Sequence, residues 1–327
     1  MNTAKIIVGN ASDTLKTLPA GTARTCVTSP PYWGLRDYGQ EAQLGLEDSP
    51  EAFIENLCLV FDEVWRVLAD DGTCWVNIGD SYGQPPAGRN DGDHRAAGKP
   101  GGMTSKATSR AVTHVGSSVR AKDLAGIPWL FAFAMKSRGW YLRQDIIWSK
   151  PNPMPESVKD RCTKSHEYIF LFSKQAKYFF DNQAIKEDIS EANKAHYQKY
   201  SSLPSKSESK TNQVRDDGGF DATHCGFSTP GIEKRNKRSV WAVSTQPYSG
   251  AHFAVYPAKL ILPCVLAGSA IGDTVLDPFS GSGTTGEVAL QLGRNYVGVE
   301  LNPDYAALSE KRISDAIGMF GTVEVIR

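Results

Sequence analysis

Two short stretches of the chain carry residues whose types and spacing suit chemistry. The first is Asp277-Pro278-Phe279-Ser280-Gly281-Ser282-Gly283-Thr284-Thr285-Gly286, which follows an apolar strand and opens a helix. Gly281, Gly283 and Gly286 match G-x-G-x-x-G, and an acid, Glu300, closes the next strand. Glycines in such a turn let the backbone approach a nucleoside ligand, and a carboxylate one strand further on takes ribose hydroxyls. A Walker-type phosphate loop is excluded, because no Lys-Ser or Lys-Thr pair follows the glycines. Two ligand classes remain, a dinucleotide and S-adenosylmethionine. A carboxylate at Asp277 would repel a pyrophosphate and attract an ammonium or sulfonium group, which favours the second. The bland alternative is a turn whose glycines serve only tight packing.

The second stretch is Ser29-Pro30-Pro31-Tyr32, at the C-terminal end of a short strand, where α/β sheets place their ligands. The prolines fix φ and remove backbone donors. What remains is a rigid row of acceptors, the Ser29 hydroxyl and the Pro30 carbonyl, beside the aromatic face of Tyr32. That suits an exocyclic amine on a planar ring: its protons point at acceptors, the ring stacks on Tyr32, and the nitrogen lone pair stays open to attack. Taken alone, the same residues read as a polyproline turn packed on its tyrosine.

The elements that must position these turns alternate in type. Strands are expected at Lys5–Val8, Thr25–Thr28 and Cys74–Ile78, with one or two helical turns over Ser12–Leu18. A helix begins at Ser49 as N-cap with Pro50 first, and Phe53, Ile54, Leu57, Val60, Phe61, Val64 and Leu68 share one face. Asp70-Asp71-Gly72 is expected to stop it. Further on come a helix near Asp123–Arg138, a strand at Tyr141–Trp148, and hairpin strands at Tyr168–Phe172 and Tyr178–Phe180. Val240–Val243 resumes packed structure. Thr274–Leu276, Thr285–Leu292 and Tyr296–Val299 form strand, helix and strand, and a last helix starts at Asn302. Such alternation predicts an α/β protein with a mostly parallel sheet.

Two polar segments interrupt the alternation. Tyr82–Lys122 is rich in Gly, Ser, Pro and Ala and carries Arg89, Arg95, Lys99, Lys106 and Arg110. Lys186–Arg238 is Ser- and Lys-rich and ends in Lys234, Arg235, Lys237 and Arg238. Long loops of this kind are either solvated insertions or functional, and basic ones suit a phosphate backbone. The chain as a whole is balanced, with 36 basic and 36 acidic residues among 327, so net charge gives no support to nucleic-acid binding. The composition excludes a disordered chain, a collagen and a small disulfide scaffold. No apolar run approaches the roughly 20 residues of a membrane helix, and Met1–Gly9 lacks the pattern of a secretory signal. Cys26, Cys58, Cys74, Cys162, Cys225 and Cys264 form no C-x-x-C, which reads as reduced thiols in the cytoplasm. His166-Glu167 begins like a zinc motif, but Phe170 stands where the second His belongs, so no metal is expected.

Taken together, the motifs resemble the amino-group DNA methyltransferases in their β order, with the amine-binding motif first, target recognition between, and the cofactor turn last. The resemblance runs from about Ile6 to Ile313. It is carried by Thr28-Ser29-Pro30-Pro31-Tyr32-Trp33, Trp148-Ser149-Lys150-Pro151-Asn152-Pro153, His166-Glu167-Tyr168, His252-Phe253-Ala254-Val255-Tyr256-Pro257 and the Asp277–Thr285 turn.

It implies a Rossmann-like, seven-stranded, mostly parallel sheet with helices on both faces, one reversed edge strand, circularly ordered motifs and a loop-rich target-recognition insertion. Residues 1–185 would be the catalytic part, with the basic loop 82–122; 186–239 would be the recognition region and 240–327 the cofactor part. Asp277, Pro278, Phe279, Gly281, Gly283, Thr284 and Thr285 would hold the amino-acid part of S-adenosylmethionine, helped by the His252–Pro257 segment with its His252 and Phe253. Glu300 would hold the ribose and Asn10 would lie near the adenine ring. Many relatives carry Asp at the position of Asn10, but an amide oxygen can still accept from the adenine amine. Ser29, where others have Asp or Asn, resembles the cytosine-N4 enzymes more than the adenine-N6 enzymes.

The expected function is therefore site-specific methylation of cytosine N4 in double-stranded DNA, after the base is flipped out. The resemblance leaves room for a cognate restriction endonuclease and for a monomer or homodimer. The rivals are adenine-N6 methylation, a nicotinamide oxidoreductase, and a catalytically dead DNA-binding module.

Overall fold

The computed structural model describes residues 2–35, 37, 39–40, 42–83, 119–189, 234–246, 256–318 and 321–327. They fall into two compact units, Met1–Asp181 with Ser239–Arg327, and Asn182–Arg238. Arg89, Arg95, Lys99, Lys106, Arg110, His252 and Phe253 lie outside the described residues.

In chain order the first unit contains β1 (Asn2–Val8), α1 (Ala11–Lys16), β2 (Ala23–Thr28), α2 (Pro50–Val67), β3 (Leu68–Ile78), α3 (Ile127–Ser137), β4 (Tyr141–Ser149) and β5 (His166–Ser173). The second unit holds a two-stranded ribbon, β6 (Glu187–Asp188) and β7 (Lys234–Arg235). The first unit resumes with β8 (Val240–Ala242), α4 (Ala258–Gly268), β9 (Thr274–Asp277), α5 (Thr284–Gln291), β10 (Asn295–Glu300), α6 (Pro303–Ile317) and β11 (Gly321–Ile326).

These strands form a nine-stranded sheet in the order β11-β1-β10-β9-β2-β3-β5-β4-β8. The expected seven strands are its centre, and β8 and β11 extend it by one at each edge. Every pairing is parallel except those of β5, which runs antiparallel to both β3 and β4. The reversed strand is thus interior, and the expectation of a reversed edge strand is corrected. The cause is the connection: β4 and β5 follow one another and pair as neighbours, so β5 must run back along β4.

Alternation along the strands assigns the two faces. Cys26, Cys74, Val76, Ile78, Val297 and Val299 pack in one core cluster with α1, α2 and α3, whereas the intervening Val27 and Trp75 point to the other face. α2 forms as its sequence dictates. The Ser49 hydroxyl accepts from the Ala52 N–H at 3.1 Å, Pro50 opens the helix, and Phe53, Leu57, Phe61 and Val64 are fully buried. Each such side chain contributes about 1.5–3 kcal/mol of burial.

Two local expectations change. Asp70-Asp71-Gly72 does not separate helix from strand but sits inside β3, where the register with β2 slips between Ala23 and Thr25. Tyr178–Phe180 is not a strand; the Phe179 N–H donates to the Asp71 carbonyl at 2.9 Å, and Phe180 stacks on Trp75. Burial pushes the Cys58 thiol up to about 12 and raises Cys26 strongly, so both are packing groups at neutral pH. Among the described residues no helix is long and apolar enough to cross a membrane.

Candidate active site

In an open parallel sheet the ligand crevice lies beyond the carboxyl ends of the strands. Here those ends deliver Gly9 and Asn10 from β1, Ser29 from β2, Pro278 from β9 and Glu300 from β10. β5 brings its opposite end to the same edge because it is reversed, so Glu167 pairs in register with Trp148 at the end of β4. A cavity of about 470 Å³ opens there. Ser29, Pro30, Pro31 and Tyr32 line it together with Asn10, Pro278, Phe279, Gly281, Thr284 and Glu300. The two turns that the sequence singles out, some 250 residues apart, therefore share one cavity.

The cofactor-type wall is built mainly from backbone. Gly281 and Gly283 adopt φ of +53° and +81°, which a side chain rarely tolerates. A Cβ at Gly283 would strike Ser309 of α6, so that glycine also serves packing. Gly281 lines the cavity, and among the described residues a Cβ there would meet nothing nearer than the Phe279 carbonyl, 4.0 Å away. That open approach is what a ligand lying along the turn requires. Glu300 spans the turn, accepting from the Gly281 N–H at 2.7 Å and the Asn302 N–H at 2.9 Å. Burial raises its carboxyl above the ordinary range, and these two bonds oppose the rise. Asn10 caps α1 through its Oδ1, 3.3 Å from the Asp13 N–H, and its Nδ2 donates to the Ala42 carbonyl at 3.4 Å.

Asp277 is placed differently from the expectation. It is 1% exposed and does not line the cavity. Its Oδ1 accepts from the Thr28 hydroxyl at 2.6 Å and the Phe279 N–H at 3.1 Å; its Oδ2 accepts from Thr285 at 2.7 Å and Tyr256 at 3.4 Å. Burial raises its pKa against the pull of those donors. The carboxylate therefore ties the end of β2 to the glycine turn from behind, and a direct contact with an ammonium or sulfonium is not what its position offers. Thr285 is likewise buried in this network, bonded also to Tyr256 and to the Val27 carbonyl.

The opposite wall is built from side chains. Tyr32 donates its hydroxyl to Glu167 Oε2 at 2.7 Å, with Asn77 Oδ1 at 3.4 Å. Lys150 pairs with the other Glu167 oxygen and lies 4.3 Å above the Trp148 ring. Trp33, buried beside Tyr32, anchors the turn by donating to the Glu47 carbonyl at 2.9 Å. Asn77, Trp148, Lys150, Glu167, Thr245, Gln246 and Tyr305 also line the cavity, and sequence reasoning assigned none of them a role there; Tyr256, from the His252–Pro257 segment expected beside the cofactor, lines it too. Lys150 and Glu167 each stand at a strand end within a motif that carries the resemblance, which was the available signal.

In the second unit, Lys234 and Arg235 form β7, and a single carboxylate, Glu187, faces Arg235, Lys237 and Arg238 at 3.5, 3.4 and 3.3 Å. Against the effect of burial, which raises it, Lys237 and Arg238 hold the Glu187 carboxyl below its usual range.

This constellation of a parallel sheet, a glycine turn with its acid, and an amine-type acceptor turn in one cavity agrees with comparisons to known proteins. The family described as DNA methylase, comprising N6 and N4 methyltransferases, matches residues 23–311. The chain is 45% identical to the type II methyltransferase M.Cfr9I of Citrobacter freundii, over 96% of this chain and 88% of that one. It is 44% identical to M.SmaI of Serratia marcescens, over 96% and 91%. Among solved structures, the PvuII cytosine-N4-specific DNA methyltransferase superposes with a TM-score of 0.61 at 17% identity, covering 99% of this chain and 95% of that one. TTHA0409 of Thermus thermophilus, a putative DNA modification methylase crystallised with S-adenosyl-L-methionine, superposes with a TM-score of 0.57 at 24% identity, covering 99% and 100%. The chain belongs to the N6/N4 DNA methylase family.

Proposed function

We propose that the protein is a site-specific type II methyltransferase that methylates the exocyclic N4 of cytosine in duplex DNA, with S-adenosylmethionine as methyl donor. The observation that carries this reading is the shared cavity: the acceptor row of Ser29 and Pro30 and the aromatic Tyr32 face the same space as the glycine turn and Glu300. S-Adenosylmethionine supplies an electrophilic methyl group on a sulfonium. The residues present fit it, since Gly281 leaves the turn open to a ligand and Glu300 offers a carboxylate for ribose hydroxyls.

The chain's own groups do the rest. Tyr32 presents its ring to the flipped base, and Ser29 and Pro30 accept from the amine, orienting its lone pair and easing proton loss. No covalent enzyme intermediate is needed. Ser29 stands where adenine enzymes of this resemblance carry Asp or Asn, and this supports cytosine as the target. Residues 186–239 read the recognition site, 1–185 hold the base and 240–327 hold the cofactor. Phosphate contacts come from the basic loop 82–122 and from Lys234, Arg235, Lys237 and Arg238.

The test is mass analysis of nucleosides from DNA incubated with the purified protein, with methylome sequencing of cells that express it. N4-methylcytosine at one sequence is the expected product. N6-methyladenine would overturn the choice of base, and unmodified DNA would overturn the reading as a whole.

A further inference from the structure

The target-side wall holds a hydrogen-bonded group more elaborate than stacking alone requires. Tyr32 leaves the end of β2, Asn77 stands near the end of β3, Lys150 follows β4, and Glu167 stands at the start of β5. These elements converge on one phenol. Glu167 accepts the Tyr32 hydroxyl at 2.7 Å on Oε2, which also receives the Asn77 amide at 3.2 Å. That amide is itself fixed, donating to the Tyr168 carbonyl at 3.1 Å. The other Glu167 oxygen is engaged by Lys150. The Lys150 and Glu167 side chains are only 18% and 14% exposed, so the pair is not a loose surface contact. The Tyr32 ring lies so close to Gly79 that a Cβ there would sit 2.6 Å from its Cε2 and 3.2 Å from its Cδ2 and Cζ.

Two carboxylates line the cavity among the described residues, Glu300 and Glu167. Glu300 belongs to the glycine turn, where each of its oxygens accepts one backbone N–H and keeps a lone pair for a further donor. Glu167 is committed to the phenol, through an O–H···O⁻ bond of the charge-assisted, directional kind. A tyrosine ring turns freely about two torsions unless something fixes both its body and its tip. Gly79 fixes the body and Glu167 fixes the tip.

We propose that Glu167, braced by Lys150 and Asn77, is the positioning residue for Tyr32: it holds the ring as the surface on which the target base stacks. The inference rests on the reading that Tyr32 receives a base. Glu167 acts through Tyr32 and not on the cofactor, so its loss is felt in capture of the base. A ring displaced by about 1 Å is expected to cost on the order of 100-fold in turnover.

A double-mutant cycle tests this, using the full chain and a duplex containing the methylated site. Glu167→Ala and Tyr32→Phe should each lower kcat/KM for DNA by about 100-fold, and the double variant should be no worse than either alone. Glu167→Gln keeps an acceptor for the hydroxyl and should retain much more activity. Gly79→Ala displaces the ring with Glu167 intact and should reproduce the Tyr32→Phe defect. Affinity for S-adenosylmethionine, measured by calorimetry, should be unchanged throughout. A duplex with 2-aminopurine at the target position should brighten with wild-type protein and not with Glu167→Ala.

Multiplicative losses in the cycle would overturn the inference, as would an equal loss of cofactor affinity in Glu167→Ala. Should Glu167→Ala fail to fold, Glu167→Gln, Gly79→Ala and Tyr32→Phe carry the same comparison. If the wild-type protein methylates an exocyclic amine but the cycle shows no coupling, this inference alone falls. If it methylates no amine, the functional reading falls and takes the inference with it.

Discussion

The two walls of the cavity are made by different means. The cofactor-side wall is a contiguous piece of chain, Pro278 to Thr284, shaped by positive-φ glycines and fixed from behind by the buried Asp277. The target-side wall is assembled from side chains on β2, β3, β4 and β5, joined through Glu167. Backbone gives a rigid surface that any partner of the right shape can follow. Side chains give a surface whose pieces can be tuned one by one. On the proposed reading, the shared reagent would meet the part of the site least open to single substitutions, whereas the base would meet the part most open to them.

Substitutions that separate the walls test this contrast. The largest effect is expected at the target side: Ser29→Ala and Tyr32→Ala should each cost about 100-fold or more in methyl transfer. Both should leave S-adenosylmethionine affinity nearly intact, by single-turnover assay and calorimetry. Near-normal turnover in Ser29→Ala would remove its assigned role.

Next come changes to the turn. Gly281→Val places a side chain in the cavity at a φ of +53° and should abolish measurable cofactor binding. Asp277→Ala removes the acceptor of the buried Thr28 hydroxyl and one partner each from Thr285 and Tyr256, which keep their mutual bond and the Val27 carbonyl, a cost of about 1–3 kcal/mol for a buried group left unsatisfied. It should weaken cofactor binding about 10-fold or more. Its thermal stability should fall as well, which a purely ligand-facing carboxylate would not require.

A pH series sharpens the placement of Asp277. Its folded-state pKa is raised by burial, so its contribution to stability is fully present below the ordinary carboxylate range. That contribution is lost as pH rises through the folded value. Asp277→Asn removes the buried charge, while the hydroxyls of Thr285 and Tyr256 can turn to accept from the amide. The difference in Tm, variant minus wild type, should therefore rise between about pH 4 and pH 8. A difference that falls over this range would mean that the donors outweigh the burial.

The smallest effect belongs to the second unit. Glu187→Gln removes the carboxylate that faces Arg235, Lys237 and Arg238, and should tighten DNA binding about two- to five-fold, the scale of exposed ion pairs. Replacing Lys237 and Arg238 by Gln should weaken binding and flatten its salt dependence by about 0.9 for each phosphate no longer neutralised. Competition binding over a salt series reads both. An unchanged slope would place the phosphate contacts elsewhere.

The same contrast explains what could be read from sequence. The glycine turn is local: strand, turn, helix, strand and acid follow one another within about 25 residues, so its position and that of Glu300 were legible. Ser29–Tyr32 was legible because two prolines at a strand end admit few conformations. Glu167 stands in a recognisable motif but its role was not legible, since that role depends on β5 being reversed and interior, which periodicity along one strand does not encode. Asp277 was legible as functional but not as buried, because whether a turn carboxylate faces ligand or protein depends on Thr28, 249 residues away. β11 escaped notice because its alternating residues Thr322, Val323, Glu324 and Val325 form an edge strand whose partner is at the other end of the chain.

That last pairing has a kinetic consequence. Among the described strands β1 comes early in the sequence, yet it lies between β10 and β11, some 290 residues further on. Its hydrogen-bonding edges stay unmatched until β10 and β11 have been synthesised, and one edge of β2 likewise waits for β9. Contacts of such long sequence separation close slowly. During synthesis a nascent chain therefore carries Ser29–Tyr32 on a strand without its neighbour and has no cofactor turn at all. The cavity is complete only when β1 and β2 meet β9 and β10, so a chain stopped before β9 lacks one of its two turns and leaves strand edges open to other chains.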